Sequence, residues 1–178
     1  MSTEIRIPKK STTMIGFYGH TNTTGKVNKS CLSNFYPAKF VYRDYEFVTS
    51  EQALMASKAA LFWDFDKFQM ILKADSPRSA KYYGRRVKNY NDNIWSTVRY
   101  DVMVDILLAK FGQNLELKEF LLSTGDNILV ECSPSDKIWG IGLSLQDPDW
   151  QDEKNWQGKN LLGSALMSAR EVLKCQHL

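Results

Sequence analysis

From Thr49 to Gly125 the sequence runs in helical period with only short breaks, and β-prone segments occur before and after that block. Parallel α/β sheets need strands that alternate with helices. Here the strands are segregated, so a doubly wound nucleotide-binding sheet is disfavoured. The expectation is a helix-rich α+β domain with short strands near both ends of the chain. Its 178 residues, 43% hydrophobic and 24% charged, suit one domain with a sizeable core. Residues 1–12 read as a flexible N-terminal tail and 13–178 as that domain.

Local signals place the elements. Met14–Gly19 reads as a short strand and the polar His20–Ser30 as a loop. Two β-prone runs around Arg43-Asp44 form a hairpin. Thr49 and Gln52 make a capping box for a helix to Phe62, and Trp63–Ala74 continues helical. Ser76-Pro77 starts the next helix, which ends near Lys88. The longest helix runs from Asn91 to Phe111, with Ile94, Val98, Val102, Ile106 and Leu107 on its apolar face. Gly112 ends it. Asn114 caps a shorter helix that stops at Gly125. Ile128–Cys132 and Lys137–Leu143 read as strands and Asp147–Gly158 as a loop. Asn160 opens a final helix whose Leu162, Leu166, Ala169 and Leu173 face the core.

The stretch TSEQALMASKAALF, Thr49 to Phe62, carries the first chemical signal. At about 100° per residue, Leu54, Met55 and Phe62 form its apolar stripe, and Glu51 and Lys58 fall in the middle of it. They are two turns apart, about 10 Å along one face. One such charge is ordinary, because a lysine snorkels and a glutamate sits well near a helix N-terminus. Two at the stripe centre cost several kcal/mol each unless paired or solvated in a cleft. Such groups have environment-shifted pKa values, which acid–base and Schiff-base chemistry use.

Other motifs are weaker. Gly19–Val27, GHTNTTGKV, imitates a phosphate loop, but its glycine spacing is one residue too long and Val27 stands where a metal-binding hydroxyl belongs. Pro77–Tyr90 carries Arg78, Lys81, Arg85, Arg86 and Lys88 without an acid and with interleaved tyrosines. It reads either as a solvated helix face or as a phosphate-contacting surface. DKIWGIG and NWQGKNLLG pair tryptophan with glycine, as core or as a stacking platform. In LSNFYP, Asn34 fixes a ligand edge or caps a turn. The net charge of +3 permits a phosphorylated or nucleic-acid ligand without demanding one. Cys31, Cys132 and Cys175 are far apart, and the histidines are His20 and His177 alone. A reduced cytoplasmic protein without a structural metal is the expectation. No apolar run approaches the roughly 20 residues of a membrane span.

The ordered series GFY, LSNFYP, TSEQALMASKA, GRRVKN, IWSTVRYDVM, LLAKFGQN, LVECSPSDKIWGIG and NLLGSALMSAR resembles the YbiA-like, or NADAR, family from about Ile15 to Arg170. The resemblance implies a YbiA-like α+β N-glycosidase for ribosylated substrates. It carries the family's glutamate and lysine onto Glu51 and Lys58, and its Asp-x-x-Trp-Gly onto Asp136, Trp139 and Gly140. Ser-Asn-Phe falls on Ser33, Asn34 and Phe35, Gly-Arg on Gly84 and Arg85, and single positions on Trp95 and Asn160. Many members have His-Tyr or His-Ala-Tyr after the glutamate, where this chain has Gln52, Ala53 and Leu54.

The expected reaction is hydrolysis between a ribose C1 and a base nitrogen. Glu51 stabilises the oxocarbenium-like transition state and moves protons, and Lys58 either attacks C1 as an amine or acts as a cation. Asp136 positions sugar or base, Trp95 and Trp139 stack, and Arg85 and Lys88 hold phosphate. The expected substrate is ADP-ribose on guanine, in nucleotide or nucleic acid. A riboflavin-pathway intermediate and a non-catalytic ADP-ribose-binding module are the alternatives. No cofactor, membrane or obligate protein partner is expected.

Overall fold

The computed structural model describes residues 13–22 and 25–176; the expected tail and His177 lie outside them. Two small sheets flank a helical block. β1 (Met14–Phe17) pairs in parallel with β4 (Ile128–Glu131), with Phe17 opposite Glu131. β2 (Phe40–Tyr42) and β3 (Tyr45–Phe47) form the expected hairpin. Its turn residues Arg43 and Asp44 both take positive φ, as a two-residue turn matched to strand twist requires.

α1 (Ser50–Leu61) opens at Thr49, whose side chain accepts from the Gln52 amide. The Gln52 side chain reaches the Val48 amide and the carbonyls of Ile71 and Leu72. It ties α1 to its neighbours, which explains a glutamine here. Leu54, Ala53 and Ala59 are all fully buried, so the alanine back of the helix is enclosed as well as its stripe.

The helix does not continue through Trp63. Trp63 takes φ +57, and Asp64 caps the separate α2 (Phe65–Leu72) by accepting from Lys67. α3 (Pro77–Gly84) stops short of Lys88. Gly84 is needed there because a Cβ would lie 2.1 Å from Met55 Sδ of α1.

α4 (Asp92–Gly112) is the central helix and packs on α1 and α6 (Leu161–Cys175). Its buried face runs through Trp95, Arg99, Met103, Ile106 and Lys110. The expected stripe was rotated, and Ile94 is exposed. The cause is the two cations, which read as polar but lie inward. Lys110 donates to the carbonyls of Cys31 (2.7 Å) and Ser33 (3.0 Å), and so anchors the segment that carries Asn34. α5 (Leu115–Ser123) completes the block.

Lys137–Leu143 is not a strand. The Asp136 side chain accepts from the amides of Ile138 and Trp139, and Gly142 has φ +73, which together curl the segment. The curl docks on β4 through Ile141 N–H to Glu131 O (3.0 Å), and on the start of α6 through Leu162 N–H to Trp139 O (3.1 Å).

Candidate active site

The two halves of the fold meet at a cleft of about 370 Å³. The start of α1 supplies Glu51, and the anchored segment before the hairpin supplies Ser33, Asn34 and Phe35. α3 supplies Arg78 and Lys81. The end of β4 and the curl supply Glu131, Ser133, Ser135, Asp136 and Trp139. Tyr18 and His20 border it from the loop after β1. The Glu51 amide donates to the Asn34 carbonyl at 3.0 Å, locking helix and segment together.

Three oxygens in this cleft are buried without a hydrogen-bond partner among the described residues: Asn34 Oδ1, Glu51 Oε1 and Glu131 Oε2. Natural folds satisfy nearly all buried polar atoms, so three unpartnered oxygens on residues that line one cleft point to a ligand site. Burial pushes the Glu51 carboxyl up to about 7; Lys81 pulls it down, Asp136 pushes it further up, and Arg85 and Lys58 pull down more weakly. Burial also pushes Glu131 up to about 8, with Asp136 adding and Lys81 opposing. At neutral pH one acid is therefore largely protonated and the other substantially ionised.

Of the expected site residues, the structure brings Asn34, Phe35, Glu51, Asp136 and Trp139 together on the cleft walls. Lys58 does not line it. Its Nζ lies 3.9 Å from the Tyr90 ring centroid, and burial lowers its pKa against the pull of Asp92 and Glu51. Arg85 is the exposed C-cap of α3, near enough to act on Glu51 and Lys58 by charge but off the wall. Lys88 points away to Asp66, and its amide donates to Asp64. Trp95 is core on α4.

Gly140 serves by lacking a side chain, because a Cβ there would lie 2.8 Å from Glu131 O and 2.9 Å from Asp136 O. Asn160 is a clamp rather than a ligand contact. Its Oδ1 accepts from the Glu131 amide (3.0 Å) and its Nδ2 donates to Leu129 O (2.9 Å), imitating a further strand beside β4. Glu131, Lys81 and Arg78 are the charged wall residues that the sequence did not single out. Their signals were a glutamate inside the apolar run ILVEC and two members of a run of five cations.

Residues 16–174 match the model of the family described as NADAR domain. The chain is similar to N-glycosidase R617 of Acanthamoeba polyphaga mimivirus, at 47% identity over 126 residues, 71% of this chain and 74% of that protein. It is 32% identical to Riboflavin biosynthesis protein VVA0006 of Vibrio vulnificus over 147 residues, 83% of this chain and 36% of that protein. The NMR structure of the E. coli protein YbiA is similar with a TM-score of 0.74 at 32% identity, covering 93% of this chain and 87% of that one.

Proposed function

The chain belongs to the NADAR domain family, and on that premise we propose that this hydrolase of N-glycosyl compounds cleaves the bond between a ribose C1 and a base nitrogen. The observation that carries this reading is the Glu51 carboxyl on the cleft wall, 3% exposed, with Oε1 buried and without a hydrogen-bond partner among the described residues. Cleavage of such a bond leaves positive charge on C1 and the ring oxygen. An ionised Glu51 stabilises that charge and takes a proton from the water that attacks C1. Asp136 spends one oxygen on the curl and turns the other toward Lys81, which leaves it placed to accept from ribose hydroxyls.

We assign ADP-ribose on guanine as the substrate. Phe35, His20 and Trp139 offer aromatic faces, and Arg78 and Lys81 are the cations on the wall that suit phosphate. The Vibrio relative's name favours a second reading, a singly phosphorylated riboflavin-pathway intermediate. A binding module without chemistry is disfavoured, because such a protein gains nothing from burying a carboxyl at Glu51's cost.

The covalent route, an amine attacking the opened sugar, fits Lys81 better than Lys58. Lys81 stands on the wall, and Lys58 stands behind Tyr90.

The test is incubation with ADP-ribosylated guanine, as nucleotide and as oligonucleotide, and with the phosphoribosylated pyrimidine intermediate, following base release by mass spectrometry. Release of guanine is expected. Release from the pyrimidine compound alone selects the second reading, and release from none overturns both.

A further inference from the structure

β4 ends on a charged residue that the chain buries between Val130 and Cys132. The backbone of Glu131 is clamped on both sides. Its amide donates to Asn160 Oδ1, and its carbonyl accepts from the amides of Ser133 (2.9 Å) and Ile141 (3.0 Å). Val130 and Cys132 pack with Ile141 on one side of the strand, and Leu129 packs with the helical core on the other. Period-two alternation puts Glu131 on the Leu129 side, where it reaches the cleft opposite α1. Its Oε2 is buried there with no hydrogen-bond partner among the described residues. The fold thus fixes the backbone that carries this carboxyl, and Oε2 takes no hydrogen bond among the described residues.

We propose that Glu131 is a second catalytic residue, the general acid whose carboxyl proton passes to the departing base nitrogen. This rests on the reading that the chain cleaves a ribose–base bond. In the step, the C1–N bond breaks and its electron pair goes to the base, which takes the proton from Glu131 and leaves neutral. Water then bonds to C1 and gives its proton to Glu51. Proton return from Glu51 to Glu131 through solvent resets the site, and the net change is addition of one water. The charged and titratable groups that line the cleft with Glu131 are Glu51 from α1, Arg78 and Lys81 from α3, Tyr18 and His20 from the loop after β1 and Asp136 from the curl. Asp136 holds the proton on Glu131 and Lys81 loosens it. Environments that keep one carboxyl protonated beside an ionised one are how paired acids divide these roles.

The experiment compares wild type, Glu131→Gln and Glu51→Gln on two probes: an ADP-ribosylated guanine nucleotide and a 4-nitrophenyl ADP-riboside, whose leaving group departs as a stable anion without a proton. Glu131→Gln is expected to lose about 100-fold or more in kcat on the guanine probe and under about 10-fold on the nitrophenyl probe. Glu51→Gln should lose heavily on both. The decline of wild-type kcat/KM above about pH 8 should vanish in Glu131→Gln. Activity of Glu131→Gln within about threefold of wild type on guanine, or equal losses on the two probes, overturns the proposal. If Glu131→Gln does not fold, the wild-type profile decides, and a flat kcat/KM from pH 7 to 9.5 overturns it. A wild type inactive on both probes while releasing the pyrimidine base, or no base at all, identifies the substrate reading as the failure.

Discussion

Lys81 Nζ stands 3.8 Å from Asp136 Oδ2, and the two act in opposite directions on the buried Glu51 and Glu131. Burial raises both glutamates; on top of it Lys81 favours the ionised form of each and Asp136 disfavours it, so this pair adjusts the pH range that burial imposes.

Asp136→Asn keeps an oxygen to accept from the Ile138 and Trp139 amides, so the curl should survive. The lost negative charge lets Glu51 and Glu131 ionise more easily. Both limbs of the kcat/KM profile should then move to lower pH, by about one unit. Unmoved limbs would show that Asp136 does not tune the acids.

Glu51→Gln should lower kcat by at least about 100-fold while the protein becomes more stable above neutrality. The sign follows from the raised folded pKa. Between the unfolded value of 4.5 and about 7 the folded state holds more protons, so this group's contribution to stability falls as pH rises through that window. Gln removes the loss. The difference in Tm between variant and wild type should therefore grow from pH 5 to pH 8, and a constant difference would contradict the burial of a charge.

Cyanoborohydride added during turnover separates direct attack by water from attack by an amine. Direct attack predicts no adduct, and partial retention of activity in Lys58→Arg. The covalent route predicts an added mass that peptide mapping places on Lys81, with loss of trapping in Lys81→Arg, because a guanidinium stays protonated. An adduct on Lys58 would require that side chain to leave Tyr90.

Charge reversal should discriminate between cations of one basic run. Arg78→Glu should raise KM for phosphate-rich substrates by about tenfold or more and leave a truncated nucleoside nearly unaffected. Lys88→Glu should change neither, because Lys88 faces Asp66 outside the cleft. The reverse ranking would move the phosphate site to the exposed end of this run.

Lys110→Met should destabilise the fold by about 1–3 kcal/mol, through the stranded carbonyl of Cys31 and the loss of one of the two hydrogen bonds on Ser33 O. Burial lowers Lys110 to about 8 from 10.5. The unfolded chain binds more protons between those values, so wild-type stability gains from this group as pH rises through them, and the variant should lack that gain. Parallel pH–Tm curves would contradict it.

The sequence made much of this architecture legible. Segregated periodicity gave the α+β class, and the caps at Thr49, Ser76 and Asn114 gave three helix starts to the residue. It misplaced features where a polar side chain served the backbone. Asp136 curled an apolar run that read as a strand, and Lys110 and Arg99 turned the stripe of α4. Glu51 was visible because a charge interrupts a helical stripe. Glu131 was not, because in four residues of strand a single glutamate reads as an outward face, and only the packing of Leu129 and Val130 on opposite sides shows which face it takes. Lys58 shares Glu51's helical face, yet two turns along the axis carry it past the cleft to Tyr90.

The parallel pairing of β1 with β4 joins segments separated by residues 18–127, and Asn160 holds its far edge. On the ribosome the helical block emerges first and its local contacts close early. Glu131 and Asp136 follow it, and the clamp on β4 comes later still. A nascent chain therefore displays Glu51 before the opposite wall exists. Assembly of the cleft waits for Asn160, so a chain stalled or cleaved before it presents Glu51 opposite a strand that lacks its clamp.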